Sequence, residues 1–69
     1  MKAIWQGIYR ALREEIVDGT YPFQTFLPSE SALVARFGCS HNTLRKALAA
    51  LADEGLLQPI QGKGGRVIY

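Results

Sequence analysis

The chain has 69 residues, 48% of them hydrophobic, and a formal net charge of +2 at pH 7. This length suits one small domain, and the hydrophobic fraction is that of a folded chain rather than a disordered one. No apolar run approaches the roughly 18–20 residues that span a bilayer, and Arg10 and Arg13 come too early for a secretory signal peptide.

The single cysteine, Cys39, and the single histidine, His41, exclude several kinds of site. They can form neither an intramolecular disulfide nor a structural zinc centre. No pairing of a nucleophile with a base, no metal cluster and no pair of carboxylates in a plausible cleft can be assembled. We therefore expect a protein that is not an enzyme and binds no cofactor or metal. The lone thiol is compatible with a reducing cytoplasm.

The first predicted element is an amphipathic helix from Ile4 to Asp18. Apolar residues recur there at spacings of three and four, including Ile8, Leu12 and Ile16. Gly19 is placed to end this helix in a left-handed conformation. Residues 20–27 then form a connector. Its apolar residues Phe23, Phe26 and Leu27 are expected to hold it against the core, and Phe26-Leu27 is a candidate short strand.

The stretch from Pro28 to Gly55 predicts two further helices joined by a tight turn. Ser29 and Ser40 are the expected N-caps, and Gly38 and Gly55 the expected ends. In the second of these helices the residues expected to face inward are Leu44, Ala47, Leu48 and Leu51, and those expected to face outward are Asn42, Lys46, Ala49 and Asp53, with Arg45 on one flank. Two helices joined in this way are typical of a helix-turn-helix, whose second helix enters the major groove of DNA.

The C-terminal residues predict a β-hairpin. Residues 56–60 and 66–69 are two short apolar runs, and the glycine-rich segment 61–65 between them is a turn signal. Pro59 cannot donate a hydrogen bond within a sheet, so its strand should be an edge strand or bulged there. The predicted fold is therefore α+β and mostly α: a winged helix-turn-helix with three helices, a short strand and a C-terminal hairpin wing.

The outward residues of the last helix have side chains suited to DNA. Asn42 can read adenine, Arg45 can read guanine or clamp a phosphate, and Ser40 and Thr43 can donate to phosphates at the positive end of the helix dipole. A solvated helix face is the better explanation of these residues when they are taken alone. The hairpin turn changes this balance, because glycines around a lysine allow close approach to an anionic surface. A flexible surface turn is the alternative reading of that segment.

Several short motifs then occur in a consistent order along the chain: Leu27-Pro28-Ser29-Glu30, Phe37-Gly38, Thr43-Leu44-Arg45-Lys46-Ala47-Leu48, Glu54-Gly55-Leu56 and Gln61-Gly62-Lys63-Gly64. With these motifs the chain resembles, over essentially its whole length, the N-terminal DNA-binding domain of GntR-type bacterial transcription regulators. Its Gln-Gly-Lys-Gly segment is most similar to the HutC-like subgroup, whose ligand-sensing domain binds small metabolites. The resemblance implies a sequence-specific DNA-binding domain of a metabolite-responsive regulator, with a repressor favoured.

The resemblance also implies which residues contact DNA. A recognition helix at about 41–54 would enter the major groove, and a wing at about 61–65 would enter the minor groove. The implied contact residues are Ser29, Ser31, Ser40, His41, Asn42, Thr43, Arg45, Lys46, Gln61, Gly62, Lys63 and Gly64. The family often has arginine where this chain has Ser31 and His41. Losing these two cations should make binding weaker or differently tuned.

The remaining expectations concern the whole regulator. Residues 1–69 would form a single DNA-binding domain, without the C-terminal effector-binding and dimerisation domain of such regulators, and an excised domain is favoured over a naturally short chain. The expected partner is double-stranded DNA, read as one half-site of a palindromic operator by a cytoplasmic homodimer. A small-molecule effector would act only through the absent domain. The competing interpretation is a winged-helix module that binds other proteins.

Overall fold

The computed structural model describes residues 5–60 and 65–69 of the chain. Within these ranges the chain forms three helices, α1 (Trp5–Val17), α2 (Glu30–Phe37) and α3 (His41–Asp53), followed by two strands, β1 (Leu57–Gln58) and β2 (Arg66–Val67). The strands pair in an antiparallel sheet. The element order predicted from the sequence is confirmed, with shorter strands than expected.

One hydrophobic core joins all these elements. α1 packs against α3, and α3 contacts both α2 and β1. The buried side chains of α1 and α3 follow the predicted spacing, and α2, the connector and the strands complete the core. They are Ile8, Leu12, Ile16, Leu27, Leu33, Leu44, Ala47, Leu48, Leu51, Leu56, Leu57 and Val67. Because α3 contributes four of them, its rotation about its own axis is fixed by this packing.

The turn between α2 and α3 is set by two capping motifs. Gly38 ends α2 in the left-handed region, with φ +63°, and its N–H donates to the carbonyl of Val34 over 2.8 Å. Ser40 then begins α3 by accepting a hydrogen bond from the N–H of Thr43 over 3.1 Å. Glycine tolerates the left-handed conformation at the helix end, and serine satisfies an unpaired N–H at the next helix start. The turn can therefore be only a few residues long.

A residue of the connector pairs with β2 in addition to β1. Leu57 lies opposite Val67 and Gln58 opposite Arg66, and β1 ends before Pro59, as an edge strand ending at proline would. On the other side of β2, Phe26 forms an isolated antiparallel bridge with Arg66. The predicted short strand at Phe26-Leu27 is thus a single bridge.

The connector is held to the core differently from the prediction. Leu27 is buried at 4% exposure, but Phe23 and Phe26 are 60% and 49% exposed. Backbone pairing with β2 explains this, since successive side chains of an extended segment point to opposite faces. Leu27 faces the core, so Phe26 faces outward. The expectation that both phenylalanines hold the connector was wrong.

No helix in the described part of the chain is long and apolar enough to cross a membrane.

Candidate nucleic-acid interface

The face of α3 opposite the core is exposed and polar. Asn42, Lys46 and Asp53 lie in solvent together with the small residue Ala49, as the helical periodicity predicted. Arg45 flanks them, and its side chain is 64% exposed. Burial of the leucine stripe on the other side keeps this face outward. α3 therefore presents an exposed polar surface on the side opposite the core.

The N-terminus of α3 is suited to an anion. The hydroxyl of Ser40 accepts from the N–H of Thr43 and donates to the Thr43 hydroxyl over 3.0 Å. The first turn of α3 carries no acidic residue, whereas the first turn of α2 carries Glu30. An α-helix start exposes backbone N–H groups and a partial positive charge. At α3 no acidic side chain of its own first turn offsets that charge.

Two side chains of α3 meet one carboxylate of α2. Oε1 of Glu30 lies 3.5 Å from Nδ1 of His41 and 3.4 Å from Nε of Arg45. Both separations exceed the 2.7–2.9 Å of an aligned charge-assisted hydrogen bond, so neither contact is a tight hydrogen bond. His41 and Arg45 are four residues apart and so share one side of the helix.

Glu30 was not among the predicted site residues. In the sequence it follows the N-cap Ser29, where a favourable interaction with the helix dipole explains an acidic residue completely. Its contact with α3 depends on how the two helices cross, which local sequence rules do not give. The sequence itself offered only an acidic residue in the helix before α3 and two outward cations, Arg45 and Lys46, on α3.

The other predicted residues of α2 and α3 are placed as follows. Ser29 is the N-cap of α2, and its hydroxyl accepts from the N–H of Ala32 over 3.2 Å. Ser31 is exposed in the same helical turn as Glu30, and Lys46 is exposed on α3. The side chain of Ser29 therefore has a structural role, whereas those of Ser31 and Lys46 project from the surface.

The predicted wing residues Gln61, Gly62, Lys63 and Gly64 lie outside the described residues, and their contacts stay a prediction. Gly65 is described, and it corrects part of the argument made for the glycines. It is buried and has φ +144°, and a Cβ at this position would lie 2.8 Å from Cγ of Leu57. Its lack of a side chain is required by the hairpin itself, not by approach to an external surface.

Other cations of the domain are engaged in joining helices. Arg36 of α2 donates two hydrogen bonds to the carboxylate of Glu15 on α1, one of them over 3.0 Å, and stacks on Phe37. The hydrogen bonds from Arg36 lower the pKa of Glu15. Arg13 of α1 pairs with Glu54 at the end of α3 over 3.3 Å. These cations are therefore less available to an external anion than Lys46.

Within residues 5–60 and 65–69, no group of three or more His, Cys, Asp or Glu side chains could hold a metal ion. Cys39 is half-buried and packs against the core. A candidate interface on this domain therefore consists of the exposed face and N-terminus of α3 with the adjoining first turn of α2.

Comparison with known proteins agrees with this architecture. Residues 5–67 match the model of the bacterial regulatory proteins of the gntR family. The chain is 45% identical over 62 residues to an uncharacterized HTH-type transcriptional regulator of Rhizobium meliloti and 43% identical over 61 residues to the HTH-type transcriptional regulator TreR of Bacillus subtilis. It is 42% identical over 60 residues to a histidine utilization repressor of Klebsiella aerogenes. These matches cover 87–90% of the chain but only about a quarter of each relative.

Solved structures share the fold. The N-terminal domain of AraR, crystallised in complex with mutant ORR3, superposes with a TM-score of 0.86 at 30% identity, covering 100% of this chain and 97% of that domain. A GntR family transcriptional regulator from Listeria monocytogenes superposes with a TM-score of 0.85 at 27% identity over 97% of this chain and 59% of its own. With a family model that spans nearly all of its length, the chain belongs to the gntR family of bacterial regulatory proteins.

Proposed function

We propose that this domain binds DNA sequence-specifically as part of a bacterial transcription regulator, with α3 in the major groove. The observation that carries the proposal is the exposed polar face of α3, which begins at a helix N-terminus without an acidic residue. Such an N-terminus suits a phosphate, and the major groove has the width of one α-helix. The relatives named above as transcriptional regulators and repressors support the same function.

Each outward residue of α3 has a proposed role in this arrangement. Arg45 donates to O6 and N7 of a guanine, and Asn42 pairs with an adenine edge. The backbone N–H groups at the start of α3 face a phosphate, assisted by the hydroxyl of Thr43, to which the Ser40 hydroxyl donates. Lys46 contacts the DNA backbone as a point charge. Arg45 and Asn42 then specify sequence, and the phosphate contacts fix the position of the helix.

The wing and α2 supply the outer contacts in this proposal. The wing would enter the minor groove next to the site, as the family motif implies, with residues Gln61, Gly62, Lys63 and Gly64. It would add positive charge there and respond to the width of the groove. Ser29 and Ser31, at the start of α2, would lie along the backbone. The support for the wing is its sequence motif together with the antiparallel pairing of β1 and β2, which places its two ends side by side.

The whole regulator is proposed to be a longer protein. Because the matched relatives are about four times as long as the matched segment, residues 1–69 would be its DNA-binding unit. The relative named as a histidine utilization repressor favours a repressor that responds to a metabolite. We propose that it acts in the cytoplasm as a homodimer on a palindromic operator, and that the effector binds a second domain.

The proposal is tested by selecting bound sequences from random DNA with this domain fused to a dimerising segment. Enrichment of a motif is expected, and Arg45→Ala should remove preference at one base and cost about 1–3 kcal/mol on the selected site. Arg10→Ala removes the same charge from the exposed side of α1 and is the matched control, with an unchanged motif expected. Enrichment of no motif would overturn the proposal and favour a module that binds proteins.

A further inference from the structure

We propose that Glu30 is a positioning residue that sets the base preference of Arg45. This proposal rests on the proposed function. Glu30 belongs to α2 and Arg45 to α3, and the Glu30 carboxylate lies 3.4 Å from Nε of Arg45. Its side chain is 25% exposed, compared with 64% for that of Arg45. A partly buried carboxylate therefore contacts Nε of an exposed arginine side chain.

The atom that pairs with Glu30 decides what Arg45 can still do. Bidentate recognition of a guanine edge needs two donor nitrogens in one plane. The contact with the Glu30 carboxylate is made through Nε, which leaves the two terminal nitrogens of the guanidinium available as donors. Glu30 thus restrains the guanidinium through Nε without using its outer donors. Within residues 5–60 and 65–69 Arg45 forms no other ion pair.

An unrestrained arginine would have to be ordered on binding. A long, flexible side chain loses rotamer freedom when it is immobilised, and this loss weakens binding. An arginine that is already oriented loses less of this freedom and also favours the one base edge that matches its orientation. The expected consequence of the Glu30 contact is selectivity between bases rather than general affinity.

His41 also contacts the carboxylate of Glu30. Its Nδ1 lies 3.5 Å from Oε1, the oxygen that also approaches Arg45. Contact from two residues of α3 limits the rotation of the Glu30 side chain more than Arg45 alone could. The Glu30 carboxylate is thus contacted by two residues of α3 that lie four positions apart.

The helix-dipole role of Glu30 predicts a different outcome. An acid in the first turn of α2 stabilises that helix whether or not Arg45 is present. An acid near a DNA-facing surface also weakens binding to all sequences, because it repels phosphates. Removing the charge should therefore strengthen non-specific binding. If Glu30 positions Arg45, the same change should also weaken discrimination between bases. Affinity for DNA of any sequence would then rise while the preference for one base falls.

The experiment measures competition binding of the 69-residue chain to the selected site and to the site with its Arg45-dependent base replaced. Glu30→Gln should lower the ratio of the two affinities about two- to fivefold, the range of an exposed ion pair, while non-specific binding becomes tighter. Glu14→Gln removes the same charge from the exposed surface of α1 and should leave the ratio unchanged. Thermal unfolding of each variant separates these effects from a loss of fold.

A double-mutant cycle with Arg45→Ala identifies the mechanism. Glu30→Gln should have no further effect on the ratio once Arg45 is removed. An effect that persists in that background would mean that Glu30 contacts the base itself, and would overturn the positioning role. An unchanged ratio in Glu30→Gln alone would overturn it as well. If the wild-type domain selects no sequence, the proposed function fails first, and that result is distinguishable from both.

Discussion

Gly65 lies against Leu57 so closely that a Cβ at Gly65 would meet Cγ of Leu57 at 2.8 Å and Cδ2 at 2.9 Å. The carbonyl of Gly65 also accepts a hydrogen bond from the N–H of Leu27 over 2.9 Å. The glycine therefore lies where the connector, β1 and β2 meet. This junction anchors one end of the proposed wing.

Gly65→Ala should destabilise the domain. Its methyl group would displace the buried Leu57, and alanine is strained at φ +144°. Overpacking of a core costs about 1–3 kcal/mol, and for a domain of this size each kcal/mol lowers Tm by about 4–8 °C. Urea and thermal unfolding, followed by circular dichroism, measure both quantities.

Gly7→Ala is the matched control for that change. Gly7 lies inside α1, and a Cβ there would have nothing within 4 Å. Alanine is favoured over glycine in the middle of a helix by about 0.5–1 kcal/mol, which is the upper bound for Gly7 in the first turn. Gly7→Ala should therefore raise Tm, whereas Gly65→Ala lowers it. Equal stability of the two variants would contradict the tight contact at Gly65.

Much of this fold follows from local patterns in the sequence. Spacings of three and four predicted the buried faces of α1 and α3, and the serine and glycine caps predicted where α2 and α3 begin and end. The roles of Gly65 and Phe26 were not predictable in this way. Each depends on which strand lies beside it, and that is decided by segments far away in the sequence.

In the candidate site, too, some features follow from local sequence patterns and others depend on contacts between elements. The outward residues of α3 were predictable, because helical periodicity alone separates Asn42 and Lys46 from the leucine stripe. The contact of Glu30 with His41 and Arg45 was not, because it depends on the crossing of two helices. Family motifs supplied the expectation for the wing, which periodicity could not.

The pair between Glu15 and Arg36 should make stability depend on pH. Arg36 lowers the pKa of Glu15 in the folded state. The stabilisation is therefore fully present above the usual glutamate pKa of about 4.3 and is lost as the pH falls through the lower, folded value. Glu15→Gln should destabilise the domain at pH 7, and this difference from wild type should shrink at acidic pH.

Urea unfolding of both proteins between pH 7 and pH 2 measures that difference. Glu14→Gln, which removes a charge from the exposed side of the same helix, is the control for net charge. Hydrogen bonds from Thr20 lower the pKa of Asp18 in the same direction, so wild type and Glu15→Gln both lose stability in acid. Only the difference in unfolding free energy between the two proteins reports on Glu15. If this difference stays constant down to pH 2, the ionised carboxylate of Glu15 is not the source of the stabilisation.

Ser40→Asp should separate folding from DNA binding. Aspartate is as good an N-cap as serine, and a negative charge at the start of α3 favours the helix dipole. Tm should be unchanged or slightly higher. The same charge would repel the phosphate proposed to bind at this N-terminus, so affinity for the selected DNA should fall at least about tenfold. Fluorescence anisotropy with labelled duplex measures the affinity.

Ser40→Ala completes the comparison at this position. It removes the cap hydroxyl that accepts from Thr43, which costs about 0.5–2 kcal/mol of stability. It adds no charge, so its effect on binding should be smaller than that of Ser40→Asp, although its effect on stability is larger. If Ser40→Asp binds DNA as tightly as wild type, the N-terminus of α3 does not face a phosphate.

Ser31→Arg should strengthen binding to DNA of any sequence. Ser31 is exposed beside Glu30 in the first turn of α2, and the resemblance implies a backbone contact there that serine makes without charge. One added phosphate contact steepens the slope of log affinity against log salt by about 0.9. Ser31→Gln provides a long side chain without charge and should leave that slope unchanged. Titrations between 50 and 200 mM salt compare the three proteins, and equal slopes for Ser31→Arg and wild type would place this turn of α2 away from the DNA backbone.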